Sequence, residues 1–224
     1  MIPPVIKNLI IINGLVWLAE MTLGSGTAEW MFNLFALHDV HSQFFKPHQL
    51  VTYLFLHDNH GIQHILYNMF ALWMFGAVLE NYWGGKRFLT FYVISGIGAA
   101  VAQLLVQYHE TAPIAAAAQQ YVPEDRYLFM AQQGVDQATV GASGAVFGCL
   151  AAFGYLFPNQ YIYMYFLFPI KVKWFVLGYA ALELFSGVNP SAGDSVAHWA
   201  HLGGGLVGLL LVIYWNRHNR KNFY

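Results

Sequence analysis

Residues 198–215 read HWAHLGGGLVGLLLVIYW. The stretch carries no Lys, Arg, Asp or Glu, and a membrane crossing needs about 20 predominantly apolar residues. Three glycines in a row, with a fourth at Gly208, strip the helix of side chains along one side. Lipid gains nothing from such a groove, whereas a second helix does, because small residues let two backbones approach closely. Residues 198–215 therefore read as a membrane helix packed against other helices, with His198 and His201 at its start.

Composition extends this reading to the whole chain. Of 224 residues, 58% are hydrophobic and 9% charged, against roughly 25% charged in a soluble domain. Working back from residue 198, five more segments are long and apolar enough to cross a bilayer, at about 5–23, 62–82, 87–107, 141–158 and 170–188. The expected architecture is an all-α, polytopic bundle of six transmembrane helices, one membrane domain over 1–224. Lys7 followed by the apolar run Leu9–Leu18 resembles a signal peptide, but no small-x-small cleavage site follows, so it is taken as a retained first span. The single cysteine, Cys149, excludes a disulfide framework. A formal net charge of −1 offers no basic patch for nucleic acid.

Charge orients the bundle. With the N-terminus inside, Lys7, Lys86, Arg87, Lys171, Lys173, Arg217, Arg220 and Lys221 fall on the inner side, leaving only Lys46 and Arg126 outside. That follows the positive-inside rule at every loop and predicts cytoplasmic termini. The expected location is the cytoplasmic membrane of a bacterium. The outer connection 24–61, rich in Trp and Phe, is expected partly in the membrane interface. Residues 108–138 form a second long outer insertion without an assigned role.

Polar groups at membrane depth point to function. His57, His60, His64 and Asn68 precede or open the second span, Gly141-Ala142-Ser143-Gly144 opens the fourth, and His198 and His201 open the sixth. In this topology all three clusters lie at similar depth below the outer surface. A serine hydroxyl needs an adjacent base, most often histidine, and acyl transfer needs donors aimed at the developing oxyanion. Ser143 is the candidate nucleophile and His201 its base. His64 and Asn68, four apart on one helix face, and the Ser143 N–H are the candidate oxyanion donors. No aspartate is evidently placed to orient His201, so the expectation is a Ser–His dyad.

Blander readings stand beside these. Gly-Ala-Ser-Gly alone usually means close helix packing, and Ala145 breaks the G-x-S-x-G elbow. Gly204 and Gly208 read as a packing seam against the fourth helix. His57, His60 and His64 suit interfacial positions, and His198 suits water or the site. Glu20, Glu80 and Glu183 read as structural, with Glu80 within range of Arg87. A histidine-box metal protein is an alternative, although no HExxH occurs and no carboxylate is evidently paired with these histidines.

Together the motifs resemble those of the rhomboid family. His64-Ile-Leu-Tyr-Asn68 is similar to its HxxxN motif, Gly141-Ala-Ser143-Gly to GxSG, and Ala200-His201-Leu-Gly-Gly204-x-x-x-Gly208 to AHxxGxxxG, in the family's order and across nearly the whole chain. The resemblance implies a serine protease that cuts transmembrane segments of single-span membrane proteins within the bilayer, without metal or cofactor. It selects His201 over His198, which lacks glycines at both +3 and +7. It also implies near-site roles for Gly141, Phe147, Gly204 and Gly208. Phe147 stands where some relatives carry a tyrosine stacked on the histidine. His48-Gln49 stands where many carry Trp-Arg, which leaves open how the first outer connection is braced. A non-catalytic member of the same form is the further alternative. Natural substrate and oligomeric state are not encoded in these motifs.

Overall fold

The computed structural model describes residues 2–58, 61–164, 167–190 and 196–218; His60, Arg220 and Lys221 lie outside them. The chain is an all-α polytopic membrane protein. Helix α1 spans Pro4–Thr22 and α2 Ser25–Phe35. A two-residue strand β1 (Leu37–His38) and a short helix α3 (Gln49–Thr52) follow. The predicted second span is one continuous helical rod: α4 (Gln63–Ala71), a π-helical stretch Leu72–Gly76, and α5 (Ala77–Trp83). Next come α6 (Gly85–Ala118), α7 (Pro123–Gln132), strand β2 (Ala138–Thr139) and α8 (Ser143–Leu156). The hairpin β3 (Tyr161–Met164) and β4 (Phe168–Lys171) leads to α9 (Val172–Val188), and α10 covers His198–His218. Among these, α1, α6 and α10 are each long and apolar enough on their own to cross a membrane.

The centre is made by α6, α8 and α10, and glycine sets how close they come. A Cβ at Gly204 would run into the Gly144 carbonyl, and one at Gly208 would lie 2.7 Å from the Gly148 Cα. The 204/208 pair is thus a seam against α8. On the other side of α10, a Cβ at Gly203 would collide with Ala102 of α6. Such approaches multiply dispersion contacts, which drive association where lipid competes equally for apolar side chains. Around this centre the apolar surface turns outward: on α9, Leu177, Leu182 and Phe185 are all exposed, Phe185 by 66%.

Two expectations need correction, and one open point finds its answer. Glu80 does not pair with Arg87: its two carboxylate oxygens accept the Val5 and Ile6 N–H groups at 2.9 and 2.8 Å. Those N–H groups open α1 and have no intrahelical acceptor, so a buried carboxylate at a helix N-terminus satisfies them. The Arg87 guanidinium instead sits 4.4 Å from the centre of the Trp215 ring. Residues 108–118 are not loop but a continuation of α6, since an alanine-rich run favours helix. Lastly, the first outer connection is braced without Trp-Arg. The Gln49 side chain donates to the Phe44 carbonyl at 2.8 Å and accepts the Lys46 N–H at 3.1 Å. His48 Nε2 meets the Leu34 carbonyl at 2.8 Å.

The seam predicts a contrast. Gly208→Leu should destabilise the protein by about 1–3 kcal/mol, the usual cost of overpacking. Gly178→Ala, where a Cβ meets nothing within 4 Å, should be silent. Thermal unfolding in detergent followed by circular dichroism checks this, and equal midpoints for the two variants would rule out the close seam.

Candidate active site

The three polar clusters meet at one end of the bundle, where α4, α8 and α10 all begin. Gly141 adopts φ 119°, a conformation that L side chains rarely take. Its N–H donates to the Tyr53 carbonyl at 3.0 Å, and the Tyr53 hydroxyl donates to the Gly96 carbonyl at 2.8 Å. The turn before α8 is therefore anchored through Tyr53 to α6. A Cβ on Gly141 would lie 2.9 Å from His64 Nε2 and 3.8 Å from Ser143 Oγ. A side chain at 141 would therefore press on the His64 ring, with the serine hydroxyl at ordinary contact distance.

Ser143 is the first residue of α8. Val146 donates to the Ala142 carbonyl at 3.0 Å, so the N–H groups before it, that of Ser143 included, are the orphan donors of a helix start. One turn on, the Phe147 ring stacks on His201, with centroids 4.3 Å apart and planes 6° from parallel. Together with the seam at Gly144 and Gly204, this sets Ser143 and His201 on touching helices. Among the described residues no hydrogen bond joins the Ser143 hydroxyl to His201. His201 uses Nδ1 for its hydrogen bond, to Glu183 Oε2 at 2.9 Å.

The tautomer of His64 follows from its partner. Its Nδ1 accepts the Asp58 backbone N–H at 3.2 Å. A ring nitrogen that accepts carries no proton, so in the neutral ring the proton sits on Nε2, the atom beside Gly141. Asn68 is buried, and its Nδ2 donates to the His64 carbonyl at 3.0 Å. One of its two amide protons is engaged along the helix and the second remains for another acceptor. His57 packs edge-on against the His64 ring, with centroids 5.1 Å apart. Burial, with His64 beside it, pushes the His57 imidazole down to about 3, so it is neutral at ordinary pH.

Glu183, read from the sequence as structural and unpaired with the histidines, is in fact paired with two of them. It is buried, and one carboxylate oxygen, Oε2, meets both His198 Nδ1 at 2.6 Å and His201 Nδ1 at 2.9 Å. A lone carboxylate in an apolar helix gives no periodic signal. The available hint was its cost at membrane depth, which calls for a paired partner.

Comparison with known proteins gives the family. The sequence model described as "Rhomboid domain" matches residues 44–218. The chain is 30% identical over 153 residues to "Rhomboid protein 1, mitochondrial" of Saccharomyces cerevisiae, covering 66% of this chain and 36% of that one. It is 28% identical over 222 residues to "Rhomboid-like protein 11, chloroplastic" of Arabidopsis thaliana, covering 89% and 64%. It is 28% identical over 173 residues to "Rhomboid protease AarA" of Providencia stuartii, covering 71% and 53%. The chain thus spans between about a third and two-thirds of the length of these relatives. Two of them are named for organelles, so the expected bacterial membrane is not supported by the likeness.

Gly141→Ala should both strain the backbone, by about 1–3 kcal/mol, and push the His64 ring aside. A lowered thermal midpoint together with a moved His64 ring resonance in the NMR spectrum is expected. An unchanged His64 signal would show that the glycine does not set the ring's position.

Proposed function

This chain belongs to the rhomboid family, and on that premise we propose that it is an intramembrane serine endopeptidase, working as one membrane domain on the transmembrane segments of single-span proteins. The observation that carries the reading is the arrangement at the start of α8: Gly141 beside both His64 Nε2 and the Ser143 hydroxyl, and Phe147, one turn after Ser143, stacked on His201. The relative from Providencia stuartii, named a protease, supports it. The charge bias supports cytoplasmic termini, which puts the starts of α4, α8 and α10 on the outer side of the membrane.

The chemistry follows from the groups present. A substrate segment must unwind locally, because an intact helix keeps the scissile carbonyl hydrogen-bonded. Ser143 Oγ attacks that carbonyl carbon while His201 Nε2 takes the hydroxyl proton. The oxyanion lies toward His64 Nε2–H, the second Asn68 amide proton and the Ser143 N–H. His201 then hands its proton to the leaving amine. Water, activated by the same nitrogen, hydrolyses the acyl-enzyme and frees Ser143. Gly141 keeps the space in front of His64 open for the oxyanion. Each step uses side chains and backbone alone, so the reading calls for no cofactor.

Purified protein should cleave a tagged single-span substrate in detergent or liposomes, and a fluorophosphonate probe should label Ser143. Ser143→Ala should abolish cleavage with the thermal midpoint near wild type, and His201→Ala should abolish it in protein that is less stable but still folded. Asn68→Ala, which removes one of several donors, should lower kcat by up to about 10²-fold. Cleavage by the serine variant at the same mapped bond would end the proposal, as would a folded wild type that neither cuts nor labels.

A further inference from the structure

Glu183 of α9 meets the site from the side that the serine does not. Its Oε2 accepts from His201 at 2.9 Å and from His198 at 2.6 Å. It is buried to 5% exposure, so water does not compete strongly for the carboxylate. The geometry points to Glu183 as a positioning residue for His201, a third member behind the serine and histidine, itself held in place by His198. This rests on the proposed proteolysis at the same site.

The hydrogen-bond count makes the case. A carboxylate oxygen with two Nδ1 partners at these distances receives two N–H bonds, which makes Nδ1 the donor of each ring. If Nδ1 of His201 carries the proton, Nε2 is left with a lone pair, which is the form a general base needs. The Phe147 ring fixes the imidazole plane from one face, and Glu183 fixes its rotation about that plane. When the Ser143 proton moves to Nε2, the ring becomes an imidazolium facing a carboxylate. The same proton then leaves with the amine, and Glu183 keeps its charge throughout, acting by orientation and electrostatics. His198 shares the same carboxylate oxygen at 2.6 Å and so braces it.

The other reading of these three side chains is a metal site, since their ligand atoms all lie within 4.8 Å of one another. Zinc holds nitrogen and oxygen ligands at about 2.0–2.2 Å in a tetrahedron, which separates neighbouring donors by roughly 3.3 Å. The 2.6 and 2.9 Å separations found here are too short for that and normal for charge-assisted hydrogen bonds. An ion would also occupy the Nδ1 atoms and leave Nε2 protonated, the wrong form for a base.

Among the described residues, the groups set against His201 are Glu183 from α9, His198 from α10 itself, Phe147 from α8 and, at longer range, His64 from α4. Glu183→Gln keeps the shape, removes the charge and turns one acceptor oxygen into an amide donor. It should lower kcat on the order of 10²–10⁴-fold with KM within about twofold, because the base is misplaced and its cationic form unsupported. Labelling of Ser143 by a small fluorophosphonate should slow in parallel. Glu183→Asp should recover part of the loss, and His198→Ala should cost less than Glu183→Gln. Nitrogen NMR of labelled Ser143→Ala protein should show the His201 proton on Nδ1, and adding Glu183→Gln should disturb it. The NMR arm does not need activity, so it separates failure of this inference from failure of the proteolytic reading. A Glu183→Gln enzyme that stays folded with kcat within twofold of wild type would overturn the assignment. So would a loss of thermal stability whose surviving folded fraction retains full activity, or stoichiometric zinc in purified protein that Glu183→Gln abolishes.

Discussion

The close approach of α8 to α10 is the constraint on which the rest depends. At Gly144 against Gly204, and again at Gly148 against Gly208, two backbones come within the space that a single methyl group would fill. Two consequences follow from one seam. The helices gain contact area that lipid cannot match, and the first turns of both are held at the same level. Ser143 and His201 belong to those turns, one residue before Gly144 and three before Gly204. A slip by one helical turn would preserve most apolar contacts and carry the two side chains past each other by about 5.4 Å. The repeated glycine pair makes that slip costly, because only glycine fits at both crossing points.

Around that seam three buried polar side chains join segments that are distant in sequence or hold a connection together. Glu80 caps the start of α1, Gln49 ties the first outer connection to itself, and Glu183 holds two histidines. In a medium with little water an unmet polar group costs several kcal/mol, so these side chains specify which helix sits beside which. Apolar packing alone does so weakly, because one leucine surface resembles another.

Much of this was legible in the sequence, for physical reasons. A membrane helix announces itself by length and lack of charge. The starts of α4, α8 and α10 stood out because histidine, asparagine and serine are conspicuous there. The Gly204–Gly208 seam was readable because closely spaced small residues have few other uses. What stayed hidden depended on distance between segments. Glu183 lies 18 residues from His201, and nothing local says that α9 turns its carboxylate toward α10. The same holds for Glu80 and α1, where the nearer Arg87 was the obvious partner and the orphan N–H groups of a distant helix proved the better one. The π-helical stretch at Leu72–Gly76 left no signal, since its residues suit an ordinary helix equally well.

The insertion at 108–138 shows how an element without a motif still bears on the site. Its helix α6 continues to Ala118, α7 folds back, and β2 pairs antiparallel with β1, Leu37 opposite Thr139 and His38 opposite Ala138. Side chains fasten the same contact: the Ser42 hydroxyl donates to Asp136 at 2.5 Å, and His41 stacks on Tyr108 with centroids 5.1 Å apart. Strand β2 ends two residues before Gly141, so the chain enters the left-handed turn and then Ser143 from a fixed direction. Two residues of strand are too short to be stable alone. Their pairing holds because α6 and α7 on one side and the braced first connection on the other present both partners already ordered. The nucleophile's helix is thereby held at its start by the outer connections and along its length by glycine, and the left-handed turn at Gly141 is where those two restraints meet.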